Sequence, residues 1–111
     1  MLIFKICPRA EWEKVREVYE GSAHDNRDGF IHFSTAAQLI GTLQKHYDGQ
    51  SDLLLIAVDE SALGHALKYE SSRGGDLFPH LYAPLPLSAV RWARPIGHNE
   101  SGFVLPSDVN A

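Results

Sequence analysis

Cysteine is almost missing from this 111-residue chain: Cys7 stands alone. A single thiol excludes an internal disulfide, a CxxC redox pair and any zinc site built on paired cysteines. It reads as a small buried apolar side chain on a first strand. No apolar run approaches about 20 residues, so no membrane-spanning helix is expected. No basic stretch precedes a long apolar run at MLIFKI, so no signal peptide is expected and the chain is read as cytoplasmic. Basic clusters are also missing. Arg9, Arg16, Arg27, Arg73, Arg91 and Arg94 are dispersed, and the net charge is -4. That balance gives no general pull toward nucleic acid or an anionic membrane, although a local pocket for one phosphate stays compatible with it. There is no P-loop, no GxGxxG and no GxSxG elbow. There is no HExxH or Cys/His zinc spacing either, so no metal is expected despite six histidines.

What remains is the composition of one ordinary globular domain spanning residues 1–111. The length suits a single core that needs no disulfide or metal to hold it. Apolar residues at 44% and charged residues at 22% argue against disorder except at the termini.

Local patterns give the element order. Leu2 to Ile6 suits a strand. Pro8 then opens a helix predicted from about Arg9 to Glu20, with Trp12, Val15 and Tyr19 as its inward stripe and Gly21 as its stop. Ser22 to Gly29 reads as a polar loop, and Phe30 to Ser34 as a short strand. Thr35-Ala36-Ala37-Gln38 has the form of a capping box and opens a second helix. Ala36, Leu39, Ile40, Leu43 and Tyr47 form one face of that helix. The LLLIAV run within Asp52 to Val58 predicts a strand buried on both faces. Leu67 to Glu70 is a further strand. Ser71 to Asp76 is a loop with a Gly-Gly pair. Phe78 to Leu87 holds three prolines, so it is extended but not a central strand throughout. Ala89 to Ala93 alternates with Val90 and Trp92 inward, and Phe103 to Leu105 reads as a last short strand before a frayed tail. The predicted class is α+β, one mixed sheet carrying two helices.

Two stretches could carry chemistry. In Asp28-Gly29-Phe30-Ile31-His32-Phe33-Ser34-Thr35, strand alternation puts Ile31 and Phe33 on the core face, with His32 and Ser34 on the other. A His beside a Ser can donate to a sugar hydroxyl or a phosphate. Spacing alone does not separate this pair from a solvated strand face. In the second stretch, Glu70 to Tyr82, Arg73 is suited to gripping phosphate or carboxylate with two hydrogen bonds. Gly74 and Gly75 allow backbone amides close to a ligand, and His80 and Tyr82 point the same way in an extended segment. An ordinary Gly-Gly turn with a surface arginine accounts for this stretch equally. His24, His65 and His98 read as solvent residues, and His46 as a helix-end residue favoured by the dipole.

Taken together, DGFIHFST, DLLLIAVD, SRGGDLFPHLY and PLPLSAV resemble the domain-of-unknown-function 952 (DUF952) family, from about Leu2 to Pro106. That family is similar in fold to the ADP-ribosyltransferase superfamily, whose split mixed sheet cradles NAD. It also resembles the RNA 2'-phosphotransferase branch, in which an IHF-type strand carries a functional His. The resemblance implies an ADP-ribosyltransferase-like fold, NAD as a substrate and a small nucleotide or phosphorylated partner. His32 matches the IHF-type position. Lys5 stands where the superfamily's first strand holds the adenosine ribose. No Glu clearly matches the late-strand catalytic position, and Glu70 is the nearest.

The resulting site assigns catalysis to His32 and His80, and substrate contact to Ser34, Arg73, Tyr82 and Lys5. Two function classes remain in play: ADP-ribosyl or 2'-phosphate transfer, and a non-catalytic module that binds a small molecule or a protein. A further enzyme class, with His32 and His80 as an acid/base pair, requires both rings to meet in one pocket.

Overall fold

The computed structural model describes residues 1–107 and 109, with the side chain of Arg73 outside that description. The chain runs β1 (Leu2–Pro8), α1 (Arg9–Trp12), β2 (Val18–Tyr19), α2 (Ala23–Asp28), β3 (Ile31–His32), α3 (Leu39–His46) and β4 (Leu53–Asp59). It continues through β5 (Leu67–Ser71), β6 (Leu77–Leu81), β7 (Leu85–Pro86), β8 (Val90–Pro95), β9 (Gly97–Asn99) and β10 (Gly102–Val104). No helix among the described residues is long and apolar enough to cross a membrane.

β4 is the middle strand of a sheet ordered β1-β4-β8. Its LLLIAV run is buried on both faces, as the sequence predicts. Leu54, Ile56 and Val58 join Ile3 and Cys7 in one core. Leu53, Leu55 and Ala57 join Phe4 and Ile6 in a second core on the opposite face, closed by Leu39 and Leu43 of α3. A second sheet, β3-β6-β5, covers the first core with Ile31, Phe33 and Leu81. The two sheets meet where Phe4 and Ser34 exchange backbone hydrogen bonds of 2.9 and 2.8 Å. Two three-stranded sheets thus stand where one sheet was expected. Neither is mixed, because every strand pairing among the described residues is antiparallel. Short connections such as the one between β5 and β6 suffice for antiparallel strands, whereas parallel ones need long crossovers.

Among the described residues, three α-helices replace the two expected. The helix read over Arg9 to Glu20 stops at Trp12. Val18 and Tyr19, both favoured in strands, pair instead with Pro86 and Leu85. Trp12, Val15 and Tyr19 still reach the same core, now from three local conformations. The polar loop expected at Ser22 to Gly29 contains α2. The third helix follows its capping box: Gln38 Oε1 accepts the Thr35 amide at 3.0 Å, and a 3-10 turn at Ala36–Gln38 leads into α3. Leu39 and Leu43 are fully buried, while Ile40, one position round the helix, is exposed.

Two irregularities shape the sheets. Ala57 pairs with Trp92 but Val58 with Val90, so a bulge inserts one residue into β8. Val90 and Trp92 both turn inward as predicted, yet pack on different cores. Pro79 lies in the middle strand of the second sheet. Its carbonyl accepts the Phe33 amide at 3.0 Å, and its missing N–H falls where the short β3 ladder ends. The frayed tail expected after Leu105 lies partly outside the described residues, but Val109 is buried in the second core.

Candidate functional site

The site is built around α2. Ser22 Oγ accepts the Asp25 amide at 3.1 Å, and Asp25 Oδ2 accepts the Ser22 amide at 2.9 Å. This reciprocal box satisfies two amides that a helix start leaves free. Gly29, at φ 89°, closes the helix. Gly21 has φ 98°, and a Cβ there would stand 2.9 Å from Asp25 Cβ. Only glycine lets the chain pass this close to Asp25 in that conformation.

Asp25 is the hub. It is 2% exposed, and Lys5 beside it 4%. Lys5 Nζ lies 2.8 Å from Oδ2 and donates to Oδ1 at 3.0 Å. The His32 amide (3.1 Å) and His32 Nδ1 (2.6 Å) both donate to Oδ1. Burial alone would raise the carboxyl pKa; the His32 hydrogen bond and the Lys5 ammonium outweigh it and hold Asp25 well below the usual carboxylate range.

His32 and His80 face each other across paired strands, registered in β3 and β6. Their ring centroids are 5.6 Å apart. Phe30 stacks on His80 with centroids 4.0 Å apart and touches His32 at 4.5 Å. Each imidazole has a carboxylate behind it. Asp25 takes Nδ1 of His32. Glu70 Oε1 takes Nδ1 of His80 at 2.8 Å and the Tyr82 hydroxyl at 2.7 Å. The Tyr82 hydroxyl first, then the His80 ring, hold the Glu70 carboxyl below its ordinary pKa. A carboxylate only accepts, so the hydrogen of His80 belongs on Nδ1, and among the described residues its Nε2 has no hydrogen-bond partner. The second nitrogen of His32 is committed: Nε2 lies 3.0 Å from Asp28 Oδ2.

The two histidines line one cavity of about 740 Å³, together with Lys5, Ser34, Ser72 and the α3 residues Thr42, Lys45 and His46. Its size falls within the range of small-molecule sites, about 300–1,000 Å³. The sequence-predicted residues meet it unequally. Ser34 lines it, buried, with Oγ 3.0 Å from Thr42 Oγ1. Thr42 spends its own hydrogen on the Gln38 carbonyl at 3.1 Å, so Ser34 is the donor. Lys5 lines it too, but its ammonium is held by Asp25. Tyr82 does not line it; its hydroxyl is spent on Glu70, behind His80. The side chain of Arg73 lies outside the described residues, although its neighbour Ser72 lines the cavity. Gly74 and Gly75 adopt φ of 68° and 85°. The Gly75 amide donates to the Ser72 carbonyl at 2.8 Å, which makes the pair a turn first.

Sequence reasoning missed Asp25, Asp28, His24 and the role of Glu70, as well as the lining residues Thr42 and Lys45. Asp25 and Asp28 sat inside a stretch read as a loop, though Ser22-x-x-Asp25 already has the capping pattern. His24 and Asp28, four apart on α2, share one helical face, and His24 Nε2 lies 3.2 Å from Asp28 Oδ2. With His32 they bring three ligand-type atoms within 4.8 Å of one another. The expectation of no metal came from familiar zinc spacings alone and does not cover this set. Glu70 was noted as the nearest late-strand acid without a role; strand pairing sets it beside His80.

The comparisons with known proteins extend this picture. Residues 6–93 match the family model described as protein of unknown function (DUF952). The X-ray crystal structure of protein CC0527 from Caulobacter crescentus is 43% identical, covers all of both chains and superposes with a TM-score of 0.91. The solution NMR structure of CC0527 gives 45% identity and a TM-score of 0.83, covering 96% of this chain and 94% of that one. No curated protein matches the chain. With the family model spanning most of its length, this chain belongs to the DUF952 family.

Proposed function

We propose that the cavity binds a nucleotide of the NAD or ADP-ribose class and, with NAD, either transfers its ADP-ribosyl group to an acceptor or takes a 2'-phosphate from RNA onto it, nicotinamide leaving in both cases. One observation carries the reading: two imidazoles from separate strands converge on one cavity, each oriented by its own carboxylate. Such backing orients each ring, and at His80, whose Nε2 is not shared with a second carboxylate, it readies that nitrogen for proton transfer. In this reading His80, oriented by Glu70, is the acid/base. Lys45, which lines the cavity from the last turn of α3, and Arg73 are assigned to the phosphates. Ser34 is assigned to a hydroxyl. Breaking the nicotinamide bond leaves positive charge on the ribose, and the site's work is to hold both fragments in line while that charge is met. No activated Ser or Cys nucleophile is needed. The resemblance to the ADP-ribosyltransferase superfamily supports the choice of nucleotide, and fold resemblance by itself does not fix chemistry.

A second reading, a non-catalytic binding module, is favoured by one feature. Lys5, which stands where the superfamily contacts ribose, has its ammonium engaged by Asp25. Calorimetric titration of NAD and ADP-ribose separates the readings when paired with a nicotinamide-release assay. Transfer predicts saturable heat and turnover, with Glu70→Gln and His80→Ala losing turnover. His80→Ala also weakens binding about tenfold, roughly 1.4 kcal/mol. Binding without turnover favours the module. No heat at millimolar ligand, with the protein shown folded by circular dichroism, ends the nucleotide reading.

A further inference from the structure

We propose that His24, Asp28 and His32 form a site for a divalent first-row transition cation at the wall of the cavity. This stands apart from the nucleotide reading, and either can fail alone. The three residues offer two imidazole nitrogens and a carboxylate oxygen. Asp28 Oδ2 lies 3.2 Å from His24 Nε2 and 3.0 Å from His32 Nε2. A cation bonded to N and O ligands at about 2.0–2.2 Å holds them about 3.3 Å apart in a tetrahedron. The two distances to Asp28 are close to that spacing, and all three ligand atoms lie within 4.8 Å of one another.

Hydrogen bonding points the same way. His32 Nε2 is hydrogen-bonded to Asp28 Oδ2, and an ionised carboxylate oxygen only accepts, so that ring nitrogen carries the hydrogen; His24 Nε2 lies 3.2 Å from the same oxygen as an ion-pair contact. His32 also donates from Nδ1 to Asp25. A cation at the centre of the three atoms replaces the His32 Nε2 hydrogen and leaves Nδ1–H on Asp25. That arrangement, carboxylate to histidine to metal, fixes the ring and raises its basicity as a ligand. The hub therefore already supplies the outer support that metal-binding histidines use. On His24 the change is one of tautomer. Arg27 Nη2 now lies 2.9 Å from His24 Nδ1 as a donor. When the metal takes Nε2, Nδ1 carries the hydrogen and Arg27 must swing away. Arg27 is 70% exposed, which leaves its side chain room for that movement.

Two histidines and one carboxylate leave coordination positions open. All three residues line the cavity, so those positions face the space a ligand would occupy. Three protein ligands with an open position is the pattern of catalytic zinc and non-haem iron sites; structural sites are closed.

The test uses the full chain, stripped with chelator, and Co²⁺ or Zn²⁺ alone. Expected are 1:1 binding by calorimetry, a visible d–d band with Co²⁺, and Zn²⁺-dependent shifts of the His24 and His32 imidazole resonances. His24→Ala and Asp28→Asn, both at exposed positions, should weaken binding at least about tenfold, the lower end of what even an outer-shell change costs. His65→Ala, in a loop apart from the cavity, should bind as the parent does. Absence of 1:1 binding at millimolar Co²⁺ and Zn²⁺ overturns the proposal. So does binding that His24→Ala and Asp28→Asn leave unchanged.

Discussion

Changing Asp25 to Asn tests the hub most directly. The substitution keeps the shape and an acceptor but removes the charge. Lys5 would then be a buried ammonium without its counter-charge, on a strand between Ile3 and Cys7. Breaking a buried ion pair from one side costs about 3–5 kcal/mol, out of a total stability of about 5–15 kcal/mol for a domain of this size. With an unfolding entropy near 2.1 cal/mol/K per residue, 111 residues give about 0.23 kcal/mol/K. The expected drop in Tm is therefore about 13–21 °C. Adding Lys5→Met to Asp25→Asn removes the stranded charge as well and should restore most of the loss. Differential scanning calorimetry of the two variants beside the parent decides it. A single variant within about 1 kcal/mol of the parent, or a double variant no better than the single, would refute the assignment of Asp25 as the counter-charge that lets Lys5 be buried.

Gly21→Ala forces a side chain into φ 98° and against Asp25 Cβ; a loss of about 1–3 kcal/mol is expected from the backbone alone, read as a lower urea midpoint. Asp59 is held down to about 2 by hydrogen bonds from Ser61, side chain then backbone, and by Arg91. Its folded pKa is below its unfolded value, so it stabilises the protein above the ordinary carboxylate range and loses that effect as pH falls toward about 2. Asp59→Asn should flatten the acid limb of a stability–pH curve in that window, and an unchanged limb counts against it. Burial first, with Glu11 nearby, pushes the Cys7 thiol up to about 11. Cys7 should therefore resist thiol reagents in the native state and react on unfolding, and labelling at the rate of a free thiol contradicts this.

The strands were the legible part. β4 declared itself by an unbroken apolar run, and alternation correctly split Ile31 and Phe33 from His32 and Ser34. These signals are local. Helical periodicity misled between Arg9 and Glu20 because Trp12, Val15 and Tyr19 do share a core, yet Tyr19 gets there by pairing with Leu85. That strand partner is more than 60 residues away and casts no local shadow. α2 was hidden for the opposite reason. Only one of its side chains is buried, and that one is an aspartate, so it has no apolar stripe to detect. The site followed the same division. His32 and His80 were readable as candidates, whereas Asp25 and Glu70, which aim them, depend on contacts that only the folded chain makes.

Every side chain of α2 other than Asp25 faces solvent. A helix of six residues is far too short to sustain itself in water, and this one lends no apolar surface to either core. It is moored, not packed. Casting off would cost the mooring and leave both cores intact. Amide hydrogen exchange along Ala23–Asp28 should accordingly run ahead of that in β4, reporting a local opening beneath the threshold for global unfolding.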